Sequence, residues 1–378
     1  MENNPLQQLE IFGQSIWLDY IRRDLITSGG LRRMIEEDGL RGMTSNPSIF
    51  EKAIADSHDY DVDIRAMALQ QEGFEAIYES ISQRDVQSAA DEFRTLYNRT
   101  DGADGYVSLE VNPHLAHDTK GTIEEARRLW AALARPNVFI KVPATTEGLP
   151  AIYKLISEGI SVNVTLLFGL PRYREVAEAY IAGIEALVAQ GKPVKHVASV
   201  ASFFVSRIDA LVDPLLEKMI AQGDMKADLV KNTHGQTAIA SAKMAYQIYK
   251  EIFGGERFRK LAAQGARVQR LLWASTSTKN PDYSDVKYVE ALIGPDTVNT
   301  APPETLDAYR DHGEPTARLE LNFEEARQVL ERLPDLGISI DEVTRQLEKE
   351  GVEKFNKPFD KLMETLERRS SRQSTLAS

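Results

Sequence analysis

The chain of 378 residues contains no cysteine. Disulfide bonds, thiolate zinc sites, iron–sulfur clusters and a cysteine nucleophile are therefore excluded, because each of them requires a thiol. The sequence also lacks a run of about 20 apolar residues, which a membrane-spanning helix would need. Residues 1–10 have neither the basic start nor the apolar stretch of a secretion signal. These absences predict a protein of the reducing cytoplasm that does not bind membranes.

The chain also has fewer basic than acidic residues. The chain has 45 lysines and arginines against 57 aspartates and glutamates, and the formal net charge is −12. Such a balance gives no broad attraction to nucleic acid or to an anionic membrane. We therefore expect no nucleic-acid partner, and an anionic substrate would need a local basic pocket. A homo-oligomer is left open by the sequence.

Eight short β-branched or apolar runs, most of them ending in polar residues, predict β-strands. They cover residues 15–20, 42–46, 106–112, 138–143, 161–167, 196–203, 271–276 and 297–301. Helical patterns lie between them, for example at 122–134, 170–190, 206–222 and 236–253. This alternation predicts an α/β fold in which eight parallel strands close into a (β/α)8 TIM barrel. A doubly wound open sheet is less favoured because neither G-x-G-x-x-G nor G-x-x-x-x-G-K-[ST] occurs.

The barrel is expected to form one domain over residues 1–378. A long charged helical segment at about 50–98 is interpreted as an insertion between the second and third strands, and further helices are expected at about 307–369. Neither segment is flanked by a linker rich in proline, glycine or serine. Residues 370–378 are small, polar and basic, which predicts a frayed tail.

Polar residues inside the predicted strands are informative, because strands of a parallel barrel are apolar on both faces. They lie mostly toward the carboxyl ends of the strands, which is where barrel enzymes carry their active sites. These residues are Asp19, Thr44, Asn46, Glu110, Lys141, Asn163, Thr165, Ser199 and Ser202.

Lys141, in N-V-F-I-K-V-P at 137–143, is the most specific of these signals. An ammonium group buried in such a strand is costly unless it is paired or loses its proton, and an uncharged amine is a nucleophile toward carbonyls. The alternative is a lysine salt-bridged at the barrel rim. Glu110 lies on the preceding strand, and neighbouring strands are about 4.8 Å apart, so the two side chains could share one cavity. Asp19 is interpreted as either a second carboxylate of this cavity or a cap at the end of its strand.

Two further groups of residues indicate candidate sites, but their sequence patterns are less specific. The guanidinium group of Arg207 is suited to binding a phosphate group, and the alternative is an ion pair with Asp209. The loop at 274–280, which contains Lys279, follows the seventh strand, where such barrels often bind phosphate. His114 and His117 form an H-x-x-H-D cluster, but a solvated helix start is favoured over a metal site there. We expect no metal and no cofactor.

Four motifs of the chain closely resemble the transaldolase family. They are G-M-T-S-N-P-S-I-F at 42–50, V-F-I-K-V-P-A-T-T-E-G at 138–148, S-V-N-V-T-L-L-F at 161–168 and V-A-S-F-F-V-S-R-I-D at 200–209. The resemblance covers roughly residues 15–305, strand by strand and in order, which a chance motif would not do.

The resemblance implies a metal-free enzyme of the non-oxidative pentose phosphate pathway. It would transfer a dihydroxyacetone unit from sedoheptulose 7-phosphate or fructose 6-phosphate to glyceraldehyde 3-phosphate or erythrose 4-phosphate. The matched positions make Lys141 the Schiff-base lysine, Glu110 the proton-transfer residue acting through a water held with Thr165, and Asp19 the acid/base at the sugar hydroxyl. The implied substrate-binding residues are Thr44, Asn46, Asn163, Ser202, Phe204, Arg207, Ser275 and Lys279. The better-known branch of the family has an arginine in the loop that here reads Ser277-Thr-Lys279, so the role of Lys279 is open.

Three other functions compete with this interpretation. A fructose-6-phosphate aldolase-like enzyme shares the lysine but would be shorter and use a tyrosine for proton transfer, whereas this chain has Glu110 and Phe204. A noncatalytic sugar-phosphate-binding barrel would be favoured by the loss of Lys141 or Glu110, and both are present. A metal-dependent barrel hydrolase would depend on His114 and His117 alone.

Overall fold

In a computed structural model, which describes residues 4–70, 72–221 and 227–375, eight parallel strands close into a barrel. Each strand pairs with the next in the chain, and the last pairs with the first. This confirms the predicted (β/α)8 barrel. The strands are β1 Gln14–Asp19, β2 Gly42–Thr44, β3 Tyr106–Glu110, β4 Val138–Pro143, β5 Val162–Leu167, β6 Ser199–Phe204, β7 Arg270–Ala274 and β8 Thr297–Ala301.

Helices fill the segments between the strands and follow the last one. Over the described residues they are α1 Pro5–Gln8, α2 Arg23–Thr27, α3 Gly30–Glu37, α4 Pro47–Ala55, α5 Asp61–Leu69, α6 Phe74–Arg99, α7 Thr119–Leu133, α8 Gly148–Ile156, α9 Leu170–Ala189, α10 Ser206–Ala221, α11 Ala227–Lys231, α12 Thr237–Phe253, α13 Glu256–Ala262, α14 Lys287–Ala291, α15 Pro303–His312, α16 Phe323–Arg332 and α17 Ile340–Thr375. Short 3₁₀ turns occur at Leu9–Phe12, Pro113–His117 and Pro334–Leu336. The four helices named from the sequence lie within three residues of their predicted bounds.

The alternation of side chains along β4 shows how the barrel separates its two cores. Val138, Ile140 and Val142 belong to the large hydrophobic cluster between the strands and the helices. Phe139 belongs to a second cluster of alternate strand positions inside the barrel. Because successive strand residues point to opposite faces, Lys141 follows Phe139 into the barrel interior. The two-residue alternation of side chains along the strand therefore decides which face of β4 carries Lys141.

Aromatic rings fill the barrel below Lys141. Phe139 stacks on Tyr106 with ring centroids 4.2 Å apart, and on Trp17 at 6.2 Å. Gly42 makes room for Trp17, because a Cβ atom at Gly42 would lie 2.4 Å from Cε2 of the indole. The packed rings fill the barrel between the polar residues of its two ends.

The predicted insertion at 50–98 contains two different parts. Its last helix, α6, buries Val86, Ala89, Phe93 and Leu96, which recur at spacings of three and four residues, and it leads directly into β3. It is therefore the crossover helix between β2 and β3. The additional structure is formed by α4 and α5, which lie before it in the chain.

The final helix, α17, has 36 residues and contains Pro358. It continues to Thr375, beyond the start of the tail expected at 370, and Ser370 within it is buried. A buried residue in the last turns indicates that packing holds the helix end, which composition alone does not reveal. Residues 376–378 of the expected tail lie outside the described residues. In the described part of the chain, no helix has both the length and the apolar character needed to cross a membrane.

Candidate active site

A cavity of about 290 Å³ opens at the carboxyl end of the barrel. Most of the residues singled out from the sequence line it, namely Asp19, Thr44, Asn46, Lys141, Thr165, Ser202, Phe204, Arg207, Ser275 and Lys279. The other two, Glu110 and Asn163, are buried beside it and contact Lys141 and Ser202, respectively. The barrel topology thus brings all twelve residues together.

Glu110 and Lys141 form a buried ion pair. They are direct partners in the β3–β4 register, and Lys141 Nζ lies 3.1 Å from Glu110 Oε2. The side chains are only 6% and 3% exposed for Lys141 and Glu110, and Nζ also donates a hydrogen bond of 3.1 Å to the carbonyl oxygen of Ser45. The lysine is paired, as the alternative expected, but it lies inside the cavity and not at an exposed rim.

The proton affinity of Glu110 is set mainly by burial. Loss of hydration raises the pKa of its carboxyl to about 7, while the charge of Lys141 opposes this shift. Its other oxygen, Oε1, has no hydrogen-bond partner among the described residues. A carboxyl group with a pKa near neutrality can both accept and return a proton at physiological pH.

Asp19 is a second buried carboxylate of the cavity. Its Oδ1 accepts a hydrogen bond of 2.7 Å from Thr44, its partner on β2, and the Thr44 hydroxyl also lies 2.7 Å from that of Thr300. Burial raises the pKa of Asp19, and the charge of Lys141 opposes the shift. Asp19 thus lines the cavity beside Thr44.

The wall formed by β5 and β6 is a hydrogen-bonded polar surface. The Asn163 amide donates to Ser108 Oγ at 3.0 Å and accepts from Ser202 Oγ at 2.6 Å. These two bonds fix which way the amide of Asn163 points. Thr165 Oγ1 is buried without a hydrogen-bond partner in the described residues.

The carboxyl end of β5 is irregular next to Thr165. The β5–β6 register shifts between Val164 and Leu167, and Leu166 has a φ of 56°, in the left-handed region that a leucine rarely adopts. Irregular strand ends of this kind re-aim side chains next to active sites.

Asn46 has a structural role in addition to its place in the cavity. It is the N-cap of α4, where its Oδ1 accepts a hydrogen bond of 3.1 Å from the backbone amide of Ile49. The predicted strand therefore ends earlier, at Thr44. The side-chain NH₂ of Asn46 is left as a donor at the cavity.

Arg207 and Lys279 provide positive charge at the cavity. The expected pair between Arg207 and Asp209 does not form, because Asp209 accepts from Tyr288 Oη at 2.9 Å and from the amide of Ala238 at 2.7 Å. Within the described part of the chain Arg207 has no ion-pair partner. Burial and the charge of Arg207 lower the pKa of Lys279. The carboxylates of Glu304 and Asp19 act on Lys279 in the opposite direction, but neither cation has a salt bridge among the described residues. Two such cations match an anionic group.

Several cavity residues escaped the sequence analysis. They are Ser48, Ile49, Lys52, Thr300, Pro302, Glu304, Lys354 and Phe355. Thr300 had a signal, since it is a polar residue near the carboxyl end of β8. Lys354 and Phe355 had none, because they belong to α17, far from every strand in the sequence.

The two histidines considered for a metal point to separate carboxylates. His114 Nε2 lies 2.7 Å from Asp360, and His117 Nδ1 lies 3.1 Å from Glu147. No group of three or more histidine or acidic side chains among the residues described is arranged to hold a metal ion.

A larger cavity of about 420 Å³ lies at the amino-terminal end of the barrel. Of the polar strand residues named from the sequence, Ser199 lines this cavity, and none of the residues assigned to catalysis or substrate binding does. Its most buried charge, Asp104, is bound by Arg41 at 2.8 Å, by Arg270 at 3.1 Å and by the Ser15 hydroxyl at 2.7 Å. The charges at this end therefore compensate each other.

Comparison with known proteins identifies the family of the chain. A sequence model described as transaldolase/fructose-6-phosphate aldolase matches residues 16–366. A transaldolase of Trichodesmium erythraeum is 51% identical over 372 residues, which cover 97% of this chain and 98% of that protein. A transaldolase 2 of a Nostoc species is 49% identical over 375 residues, covering 97% and 98%, and a transaldolase of Saccharopolyspora erythraea is 45% identical over 365 residues, covering 96% and 97%. The chain therefore belongs to the transaldolase/fructose-6-phosphate aldolase family.

Proposed function

We propose that this enzyme transfers a dihydroxyacetone unit between sugar phosphates through a Schiff base on Lys141. The donors are sedoheptulose 7-phosphate or fructose 6-phosphate, and the acceptors are glyceraldehyde 3-phosphate or erythrose 4-phosphate, as in the non-oxidative pentose phosphate pathway. The observation that carries the proposal is the buried Lys141–Glu110 pair, 3.1 Å apart, beside a cavity that also contains Asp19, Arg207 and Lys279.

Imine formation begins with transfer of the lysine proton to Glu110. Burial disfavours two charges relative to a neutral pair, and the raised pKa of Glu110 makes it an effective proton acceptor. The free amine of Lys141 then adds to the ketose carbonyl carbon, and Glu110 returns the proton as the carbinolamine loses water. The unpartnered Thr165 Oγ1 and Glu110 Oε1 are the groups that we assign to handling this water.

Carbon–carbon cleavage follows from the electron demand of the protonated imine. Asp19 takes the proton of the sugar hydroxyl, the adjacent carbon–carbon bond breaks, and its electrons move into the imine to leave an enamine. Burial raises the pKa of Asp19, which suits a group that must accept this proton and later return it. When an acceptor aldehyde binds, the enamine carbon attacks it and Asp19 protonates the new hydroxyl.

The remaining residues are assigned to substrate binding. Asn46, Asn163 and Ser202 would bind the hydroxyl groups of the dihydroxyacetone unit, because their amide and hydroxyl groups surround Lys141. Thr44 would hold Asp19, and Phe204, which packs on Phe168, would shape the pocket. Arg207, Ser275 and Lys279 would bind the phosphate.

The proposal is tested by borohydride reduction in the presence of fructose 6-phosphate, followed by peptide mass spectrometry. A reduced dihydroxyacetone adduct is expected on Lys141, with loss of activity. Lys243 is an internal control, because it is also buried but donates to the carbonyl oxygens of Arg318 and Leu321, away from the cavity. Labelling of Lys243 in place of Lys141, or full activity in Lys141→Ala, would contradict the mechanism.

Transfer is distinguished from simple aldol cleavage by omitting the acceptor. With fructose 6-phosphate alone, about one equivalent of glyceraldehyde 3-phosphate per site should appear before release stalls. Erythrose 4-phosphate should then restart turnover and yield sedoheptulose 7-phosphate. Continuous release of dihydroxyacetone at a rate comparable to transfer would favour the aldolase function instead.

A further inference from the structure

The helix α17 crosses the carboxyl end of the barrel and is anchored on both sides of it. Near its start, Glu348 pairs with Arg172 at 3.3 Å on α9. Farther along, Lys361 pairs with Glu51 at 2.7 Å on α4, and Arg369 donates to the carbonyl oxygen of Ala55 at 3.0 Å. The residues between these anchors are therefore held over the mouth of the barrel.

Close packing also fixes the distance between α17 and the site. A Cβ atom added at Gly351 would lie 3.0 Å from Leu166 Cδ2, so the helix backbone runs directly against the end of β5. Asp360 lies 2.7 Å from His114 in the turn that follows β3. Phe355 lies between these two contacts on the helix.

Phe355 forms part of the cavity wall over Lys141. The centre of its ring is 5.3 Å from Lys141 Nζ, which is within the range of a cation–π contact. Nζ also lies 3.1 Å from the Glu110 carboxylate and 3.1 Å from the Ser45 carbonyl oxygen. The nitrogen thus contacts two oxygen atoms and one aromatic ring.

We propose that Phe355 is a specificity-determining residue that shields the Lys141 imine from water and so favours transfer over hydrolysis. This inference rests on the Schiff-base function proposed above. The residue is supplied by a helix outside the eight-stranded barrel, so the balance between the two reactions depends on how α17 is docked.

Hydrolysis of the intermediate needs two steps that the ring opposes. The enamine carbon takes a proton from solvent to form the protonated imine; water then adds to the imine carbon, the carbon–nitrogen bond breaks, and both hydrogens of that water end on nitrogen. The products are free dihydroxyacetone and the lysine ammonium group. A water entering past Phe355 would lose hydrogen bonds to an apolar face, which raises the barrier to its attack.

The test compares the rate of dihydroxyacetone release from fructose 6-phosphate alone with the rate of transfer to erythrose 4-phosphate. Phe355→Ala should raise the ratio of release to transfer roughly ten-fold, which corresponds to the loss of one aromatic contact of this kind. Phe355→Leu keeps apolar volume and should raise the ratio less. Phe359→Leu is the matched control, because Phe359 lies one turn away on the same helix and packs on Tyr78, with ring centroids 5.6 Å apart.

An unchanged ratio in both Phe355 variants, a parallel fall of release and transfer, or an equal rise in Phe359→Leu would overturn this inference. If Phe355→Ala does not fold, as judged by thermal unfolding, Phe355→Leu decides the question by the same ratio. Borohydride trapping in the unmodified enzyme shows whether the proposed function or only the role of Phe355 has failed. Without an adduct on Lys141 the proposed function fails, whereas an adduct with an unchanged ratio refutes only the role of Phe355.

Discussion

Glu110 Oε2 and Lys141 Nζ lie 3.1 Å apart at partner positions of β3 and β4, with both side chains almost fully buried. In such surroundings the pair is stable as two charges that compensate each other, and a single proton transfer along this contact makes both groups neutral. The same geometry therefore accounts for a lysine that is tolerated in the barrel interior and, in the proposed mechanism, supplies the amine that adds to a carbonyl carbon.

The first prediction concerns Glu110→Gln. In the unmodified enzyme the raised pKa of about 7 means that the carboxylate, the form that accepts a proton, is lost as the pH falls through about 7. The value of kcat/KM for fructose 6-phosphate should therefore fall on the acid side of that pH. The variant should lose roughly 10²–10⁴-fold in kcat and should not show this inflection in a profile from about pH 5 to 9.

The matched control for that profile is Glu125→Gln. Burial raises the pKa of Glu125 as well, but this carboxylate accepts a hydrogen bond from the backbone amide of Asn112 and does not contact Lys141. Glu125→Gln should keep the inflection near pH 7 in its profile of kcat/KM against pH. An inflection that persists in Glu110→Gln would assign it to a different group.

Asp19→Asn should separate imine formation from bond cleavage. The amide cannot accept the hydroxyl proton, so release of glyceraldehyde 3-phosphate should fall by roughly 10²–10⁴-fold. Borohydride with fructose 6-phosphate should still modify Lys141, because Asp19 bonds to Thr44 and not to the lysine. In this variant the adduct should retain the intact hexose, which its mass reveals. A dihydroxyacetone adduct formed at the normal rate would show that Asp19 does not act in cleavage.

Arg207→Ala should weaken binding of phosphorylated sugars selectively. Loss of one charge-assisted contact corresponds to a rise of roughly 10–100-fold in KM for fructose 6-phosphate, with little change for unphosphorylated fructose. The control is Arg174→Ala, since Arg174 pairs with Glu251 on the protein surface. The same measurement on Lys279→Ala shows whether Lys279 also binds the phosphate group of the substrate. Equal effects on both sugars would remove Arg207 from the phosphate site.

Activity should survive the removal of metal ions. His114 and His117 are engaged by Asp360 and Glu147, respectively, and do not share a site. Dialysis against a strong chelator is therefore expected to leave the transfer rate unchanged. A loss that zinc or magnesium restores would refute this prediction and revive the metal-dependent hydrolase.

Gly42→Ala should destabilise the barrel. The added methyl group would lie 2.4 Å from Trp17, which is 1% exposed and packed against Phe139, so the indole cannot move aside freely. Overpacking of this kind lowers the free energy of unfolding by about 1–3 kcal/mol. Gly73→Ala is the control, because nothing lies within 4 Å of its added methyl group and its φ is −70°. Urea unfolding measures the free energy of unfolding of both variants, and equal values would contradict the close packing of Trp17 against Gly42.

The sequence by itself determined the barrel and the place of its chemistry. Strand positions alternate between faces, so a single lysine in V-F-I-K-V-P and a single glutamate in Y-V-S-L-E predict polar side chains within the barrel, toward the carboxyl ends of their strands. The order of the strands then predicts that Glu110 and Lys141 are neighbours. Both expectations depend on regularities of parallel strands that act over a few residues, which is why a sequence can reveal them.

Tertiary structure alone decided which distant segments complete the site. Asp209 accepts a hydrogen bond from Tyr288 and pairs with Lys287 at 3.8 Å, and not with the nearby Arg207. The ring above Lys141 is Phe355 of α17, more than 200 residues later in the chain. Composition made α6 look like part of an insertion, although packing makes it the crossover into β3. Such contacts depend on how whole helices dock, through the summed packing of many apolar side chains, and no local pattern of residues encodes that sum.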